Sequence, residues 1–146
     1  MKPGTYIKST DLLKGDYFEN AIIIITEVNV KGAMGFVINR NFPRKFNELE
    51  EFRHSPAFPL YEGGPVDTEH IFVLHRRADL IPDSQLITDG IYYGGDFKET
   101  VKLINNKTLI EKDIRLIIGY CGWNESELVT EVAEGSWKVV DNYSLF

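Results

Sequence analysis

The apolar residues of this chain fall in short runs, several of them rich in β-branched side chains. Residues 21–28 include four consecutive isoleucines, which predicts a strand buried on both faces. Turn-forming residues follow at 29–32, so residues 33–39 are predicted to return as the second strand of a hairpin. Further strands are predicted at residues 5–9, 60–62, 71–75, 91–93, 114–120 and 137–140.

Helical periodicity is confined to three short segments. Each begins with a capping pattern in which Asn or Asp precedes Glu by three residues. The predicted helices lie within residues 47–52, 96–104 and 124–133. Strands outnumber helices, and no linker or repeat interrupts the pattern, which favours a single α+β domain over residues 1–146 with a mostly antiparallel sheet.

The composition is that of an ordinary globular domain and narrows the choice of partners. With 146 residues, 43% of them hydrophobic, the chain can bury a core without a disulfide or metal, and its only cysteine is Cys121. No apolar run approaches the length of a membrane span, and residues 1–10 lack a signal-peptide pattern, so we expect a cytoplasmic protein away from the membrane. The net charge of −6 disfavours binding to duplex DNA on electrostatic grounds.

Motifs in a fixed order along the chain resemble the bacterial YqgE/AlgH family. They are GAMGFVINR at residues 32–40, GGPV at 63–66, LH at 74–75, DGIY at 89–92, GYCGW at 119–123, and then Leu128, Glu131, Gly135 and Trp137. The resemblance implies a bulged, mostly antiparallel sheet curled into a pseudo-barrel with about three flanking helices. Family members carry a label of transcriptional regulation without an established activity, cofactor or catalytic residue, so the resemblance implies regulation and transfers no catalytic set.

Two positions depart from the family pattern. Cys121 stands where a small residue is usual, which argues against a catalytic thiol shared by the family. Residues 124–127 replace the usual Gly-Pro-Gly-Gln, and Glu127 can close the same capping box as the Gln.

The most suggestive candidate site is the turn predicted at residues 120–123. It follows a predicted strand and precedes a predicted helix, as a nucleophile elbow does, but Trp123 stands where that motif requires a second glycine. The alternative is a structural turn in which Gly122 adopts a conformation open only to glycine. Tyr120 and Trp123 are candidate ligand- or partner-binding residues, with Trp123 either in the core or lining a cleft opposite the bend at residues 63–65.

The histidines and glycines are predicted to have structural roles rather than to form a metal or phosphate site. His75 ends an apolar run and is predicted as a core-edge residue with hydrogen-bonded ring nitrogens, or else as a binding residue; the histidine spacing does not match a zinc site. Gly63, Gly64 and Pro65 lack the residues of a phosphate-binding loop and are predicted to form a structural bend. Neither a metal nor a cofactor is predicted.

Two basic clusters flank the predicted strands. Arg40 lies near Arg44 and Lys45, and residues 75–77 form the second cluster. They are interpreted either as solvated faces or as a surface for single-stranded nucleic acid, and Arg40 is retained as a candidate binding residue.

Three functions follow as hypotheses. The favoured one is a non-enzymatic cytoplasmic binding or regulatory domain with a protein or small-molecule partner, because no nucleophile or acid–base motif is complete. The second is an enzyme, such as a hydrolase, with a cleft near residues 120–123. The third is a nucleic-acid-binding regulator that uses both basic clusters.

Overall fold

The computed structural model describes all residues from Met1 to Phe146, and it confirms the α+β class. Ten strands form a mostly antiparallel sheet, and two α-helices pack against it. The strands are β1 (Tyr6–Ser9), β2 (Ile22–Asn29), β3 (Gly32–Val37), β4 (Asn41–Lys45), β5 (Pro59–Glu62), β6 (Val66–His75), β7 (Gln85–Thr88), β8 (Ile91–Tyr93), β9 (Ile114–Asn124) and β10 (Trp137–Val140), and the helices are α1 (Phe97–Asn105) and α2 (Glu127–Ala133).

The sheet is open and is not a closed barrel. Its main path runs β10-β1-β2-β3-β9-β6-β8-β7, with β4 and β5 attached beside β9. Strands β10 and β7 lie at opposite ends of this path and do not pair with each other, so the pseudo-barrel implied by the resemblance is not confirmed. The predicted hairpin is confirmed as β2 and β3, with a bulge between Ile25 and Glu27.

The predicted helix at residues 47–52 is wrong. The segment forms two separate 3-10 turns, Phe46–Glu48 and Glu50–Phe52. Leu49 between them is extended, with φ −80° and ψ 130°, so an α-helical hydrogen-bond ladder cannot continue through it. Glu48 rather than Asn47 secures the start, because its carboxylate accepts a hydrogen bond from the Lys45 backbone N–H at 3.0 Å.

Strand β9 is the centre of the sheet and pairs with three other strands. Residues 114–118 lie between β6, which is antiparallel, and β5, which is parallel. Residues 121–124 pair instead with β3. The chain leaving β5 therefore crosses over β9 before it becomes β6, because β5 and β6 lie on opposite sides of the same strand.

Glycines make this crossing possible. A Cβ atom on Gly64 would overlap the Tyr120 carbonyl group and lie 2.7 Å from the Cys121 amide nitrogen. A Cβ atom on Gly63 would lie 2.5 Å from the Gly119 carbonyl oxygen, and Gly119 itself has φ +77°. Two backbones thus touch at a separation that excludes side chains. Gly122 has an ordinary φ, so the glycine-only conformation predicted for it occurs at Gly119 instead.

Buried side chains lie on both faces of the sheet because neighbouring strand residues alternate. Ile7, Ile23 and Ile25 pack in a cluster that includes Leu128 of α2. Tyr6 and Ile24 point the opposite way, into a cluster built on the other face. A third cluster, which includes residues of α1, covers the first half of β9.

Candidate functional site

Residues 120–123 are not a turn in the structure. They lie inside β9, which continues to Asn124, so the strand-to-helix turn predicted there does not form. Tyr120 packs edge-on against Phe72 at 5.5 Å, whereas Trp123 contacts Trp137 at 6.2 Å in the cluster under α2. Tyr120 and Trp123 therefore belong to opposite faces of the sheet and cannot line one cleft.

Cys121 is a core residue. Its side chain is 1% exposed, and its Sγ donates a hydrogen bond to the Gly63 carbonyl oxygen at 3.3 Å. Burial raises the pKa of the thiol to about 12, which keeps it protonated at neutral pH. A nucleophilic cysteine needs an accessible thiolate, so this position does not provide one.

The raised pKa of Cys121 predicts a loss of stability in alkali. The unfolded chain releases the thiol proton near the ordinary pKa of 9.0, whereas the folded chain holds it until about 12, so the free energy of unfolding falls as pH rises between these values. The slope from this group approaches about 1.4 kcal/mol per pH unit. Urea unfolding from pH 8 to 10.5 should show a steeper fall of the free energy of unfolding in the wild type than in Cys121→Ala, because only the difference between the two proteins reports the thiol. Equal slopes in both proteins, or rapid alkylation of the native thiol at pH 7, would contradict the core assignment.

Two buried tryptophans share one carboxylate. The indole N–H groups of Trp123 and Trp137 both donate to Oε1 of Glu131, at 3.2 and 2.9 Å. Trp123 is 8% exposed and Trp137 is 2% exposed, so the carboxylate satisfies two donors that have little access to water. Glu131 belongs to α2 and fixes that helix on the sheet. Its place in the family motif was visible in the sequence, but this role was not predicted.

His75 has no nitrogen left for a ligand. The side chain is fully buried, and its Nδ1 accepts a hydrogen bond from the Arg77 backbone N–H at 3.0 Å. Nε2 therefore carries the proton and donates to the Ser84 hydroxyl oxygen at 2.9 Å and the Gly94 carbonyl oxygen at 3.2 Å. Burial lowers the pKa of His75, which favours this neutral form. The arrangement is that of a core-edge histidine.

Arg40 holds a surface loop in place. Its guanidinium donates to the backbone carbonyl oxygens of Tyr17 and Glu19, at 2.5 and 2.9 Å, and lies over the Tyr17 ring at 4.9 Å. A carboxylate oxygen of Glu62 lies 3.7 Å away. In the second basic cluster, Arg77 is paired with Asp79 at 2.9 Å. Both arginines are thus engaged within the chain.

A hollow of about 730 Å³ has an apolar floor. We call it the phenylalanine groove. Its floor is made of half-buried large apolar side chains together with the buried Ile118, and these half-buried residues are Phe42, Leu49, Phe52, Ile71 and Phe97. The rim is polar and contains Arg44, Glu50, Glu51, Thr68, Glu69 and His70.

Two irregular segments build the groove. Leu49 reaches the floor because it is extended between the two 3-10 turns. The second segment is a large bulge in β6. Val66 pairs with Tyr120 and Ile71 pairs with Ile118, so the four residues 67–70 project from the ladder. His70 is bonded to Asp67 across this bulge, and that hydrogen bond raises the pKa of His70.

The rim of the phenylalanine groove is more acidic than basic. Three glutamates, Glu50, Glu51 and Glu69, face one arginine, Arg44, and one histidine that is already paired with Asp67. An apolar floor with a charged rim of one prevailing sign is typical of a binding site. The floor binds an apolar group of the ligand, and the rim favours ligands that carry the opposite charge next to that group.

Two further features, a metal-binding cluster and a membrane-spanning helix, are absent from the structure. No three side chains of His, Cys, Asp or Glu lie close enough together to hold a metal ion. Neither α-helix of the structure has the length and apolarity needed to cross a bilayer.

The fold defines an α+β domain with a central strand crossed by glycine backbone and an apolar groove beside it. Residues 6–145 match the family model described as AlgH-like, and the chain belongs to this family. The resemblance to the YqgE/AlgH family is therefore confirmed.

Relatives support this assignment, and solved structures share the fold. UPF0301 proteins of Bacteroides thetaiotaomicron and Chlorobium luteolum are 35% and 36% identical to the chain, covering 93% and 92% of it and 69% and 71% of their own lengths. The solution structure of AlgH from Pseudomonas aeruginosa matches with a TM-score of 0.76 and 25% identity, covering 94% of this chain and 75% of AlgH. A crystal structure of a Corynebacterium diphtheriae protein has the same fold, with a TM-score of 0.78 at 16% identity, covering 96% of this chain and 75% of that one.

Proposed function

We propose that this chain is a non-enzymatic binding domain of the bacterial cytoplasm that acts in regulation by holding a segment of a partner protein in the phenylalanine groove. The groove is the observation that supports the proposal. Five large apolar side chains on its floor remain half-buried, although covering them would gain roughly 25 cal/mol for each Å² removed from water. Exposed apolar surface with a polar rim commonly marks an interaction site.

The rim charges indicate which segment fits. A partner with apolar side chains on one face and lysine or arginine at its flanks would bury the floor and meet Glu50, Glu51 and Glu69. Regulation of transcription, which family labelling suggests, would on this proposal run through a protein partner rather than through duplex DNA, since the chain carries a net charge of −6.

An NMR titration with synthetic peptides tests the proposal. A basic amphipathic peptide of leucine and lysine is expected to shift the backbone resonances of residues lining the groove, whereas peptides with Glu for Lys, or Ser for Leu, should bind much more weakly. The double charge reversal Glu51→Lys/Glu69→Lys should weaken binding of the basic peptide by about tenfold or more.

The matched control reverses two exposed carboxylates elsewhere, in Glu125→Lys/Glu134→Lys, and should leave the affinity near that of the wild type. Equal weakening by both double variants would show that only net charge matters. Shifts spread over other surfaces, with the groove unaffected, would place binding elsewhere and end the proposal.

A further inference from the structure

A second hollow, of about 550 Å³, has no apolar residue in its lining. We call it the lysine hollow. It is lined by three lysines, Lys8, Lys14 and Lys138. The charged or amide side chains around them are Asp11, Glu19 and Asn20. It lies at the β10 end of the sheet, where β1 and β10 pair, and shares no lining residue with the phenylalanine groove.

Two of the lysines, Lys8 and Lys138, are held directly opposite each other. They are cross-strand partners in the antiparallel pair of β1 and β10, so their side chains leave the sheet on the same face. Beyond the pair, the Thr10 backbone N–H donates to the Ser136 carbonyl oxygen at 3.0 Å and fixes this register. Like charges directly opposite destabilise a sheet, and no carboxylate lies within 4.0 Å of either ammonium group to offset the repulsion.

The third lysine, Lys14, comes from the loop that Arg40 holds. The Arg40 guanidinium binds the backbone of Tyr17 and Glu19, which holds this loop in place. Lys14 also lacks an ion pair. Protection of a sheet edge, a common role of lysine, would account for Lys138 on β10 but not for Lys8, because β1 is covered by strands on both sides.

We infer that the lysine hollow binds a small hydroxylated anion, carrying a phosphate or carboxylate group. The anion would lie among the three ammonium groups and relieve the repulsion between Lys8 and Lys138. Asp11, Glu19 and Asn20 supply acceptors for ligand hydroxyl groups. The lack of apolar lining disfavours ligands with an aromatic base or an acyl chain, which need an apolar surface.

The test compares Lys8→Gln and Lys138→Gln with a control, Lys98→Gln, which changes an exposed lysine of α1 outside the hollow. Thermal unfolding at constant ionic strength, with and without inorganic phosphate, glucose 6-phosphate or citrate, gives both stability and binding. Without these anions, the Lys8 and Lys138 variants should melt at or above the wild-type Tm, because the repulsion is gone. Their affinity for the preferred anion should fall by about tenfold, whereas Lys98→Gln should bind like the wild type.

The outcomes show whether the site exists and which anionic group it prefers. Tighter binding of glucose 6-phosphate supports the site and assigns a phosphate ester, and tighter binding of citrate supports it and assigns a carboxylate. The same anion response in all three variants would overturn the inference, since it would reflect a general salt effect. A single-stranded oligonucleotide that bound the wild type far more tightly than any small anion, and lost affinity in both site variants, would also overturn it.

Discussion

Replacing Gly64 with alanine is expected to prevent the chain from holding its native fold. The added Cβ would overlap the Tyr120 carbonyl group and approach the Cys121 amide nitrogen, and both are backbone atoms of the central strand that cannot rotate away. Relief would require the crossing segment and β9 to separate. We expect a loss of at least about 4 kcal/mol in the free energy of unfolding, near the upper end for single substitutions. Soluble yield, far-UV circular dichroism and urea unfolding measure this loss.

Two glycine variants serve as controls for the Gly64 experiment. Gly122→Ala should fold with nearly wild-type stability, because its new Cβ meets only the edge of the Tyr120 ring at 3.5 Å. Gly90→Ala has open space around the Cβ but a φ of +75°, so it should cost about 1–2 kcal/mol from backbone strain alone. A Gly64→Ala protein that melts within a few degrees of Gly122→Ala would show that the two backbones are not in contact.

Removing the Glu131 carboxylate should produce the second largest effect. Glu131→Ala leaves the indole N–H groups of Trp123 and Trp137 without their shared acceptor, and neither ring is free to turn towards water. We expect a loss of about 3 kcal/mol, since each stranded donor costs about 1–3 kcal/mol. Chemical unfolding followed by tryptophan fluorescence measures this loss and reports on the same two rings.

Glu131→Gln is the matched variant that keeps the side-chain length and an acceptor oxygen. The amide oxygen can still accept from both indoles, but as a neutral acceptor it forms weaker bonds, so the loss should be clearly smaller than in Glu131→Ala. If Gln and Ala cost the same, the shared acceptor is not what stabilises α2 on the sheet. Trp123→Phe should fall between them, because it removes one donor and some apolar area but leaves no acceptor stranded in the core.

The strands could be predicted from the sequence because their signals are local. Four consecutive isoleucines define β2 whatever surrounds them, and the turn residues after it fix the hairpin. Residues 47–52 show the limit of local reasoning. Their capping pattern suits a helix, but two 3-10 turns form instead and place Leu49 and Phe52 on the groove floor.

The candidate site could not be predicted because its parts are remote in sequence. Phe42, Leu49, Ile71 and Phe97 come from separate segments, and only the pairing of β5 and β6 with β9 brings them together. The glycine-rich motif at residues 119–123 was visible, but the residue that requires a glycine conformation is Gly119 and not Gly122. A sequence shows that a glycine is present, whereas its dihedral angle depends on the segment that crosses it, which for Gly119 is the connection between β5 and β6.

The position of β9 in the chain also constrains the order in which the protein can fold during synthesis. Strands β3, β5 and β6 all depend on β9 as a neighbour, yet β9 is made only after residue 113. A nascent chain that ends before β9 therefore contains a hairpin and several unpaired strand edges, with the isoleucine-rich core incompletely covered. Such edges invite pairing with other chains, so the growing polypeptide is expected to be most exposed to misassembly until β9 emerges. Completion of β9 joins the earlier strands in one step, as expected of a topology dominated by non-local pairing.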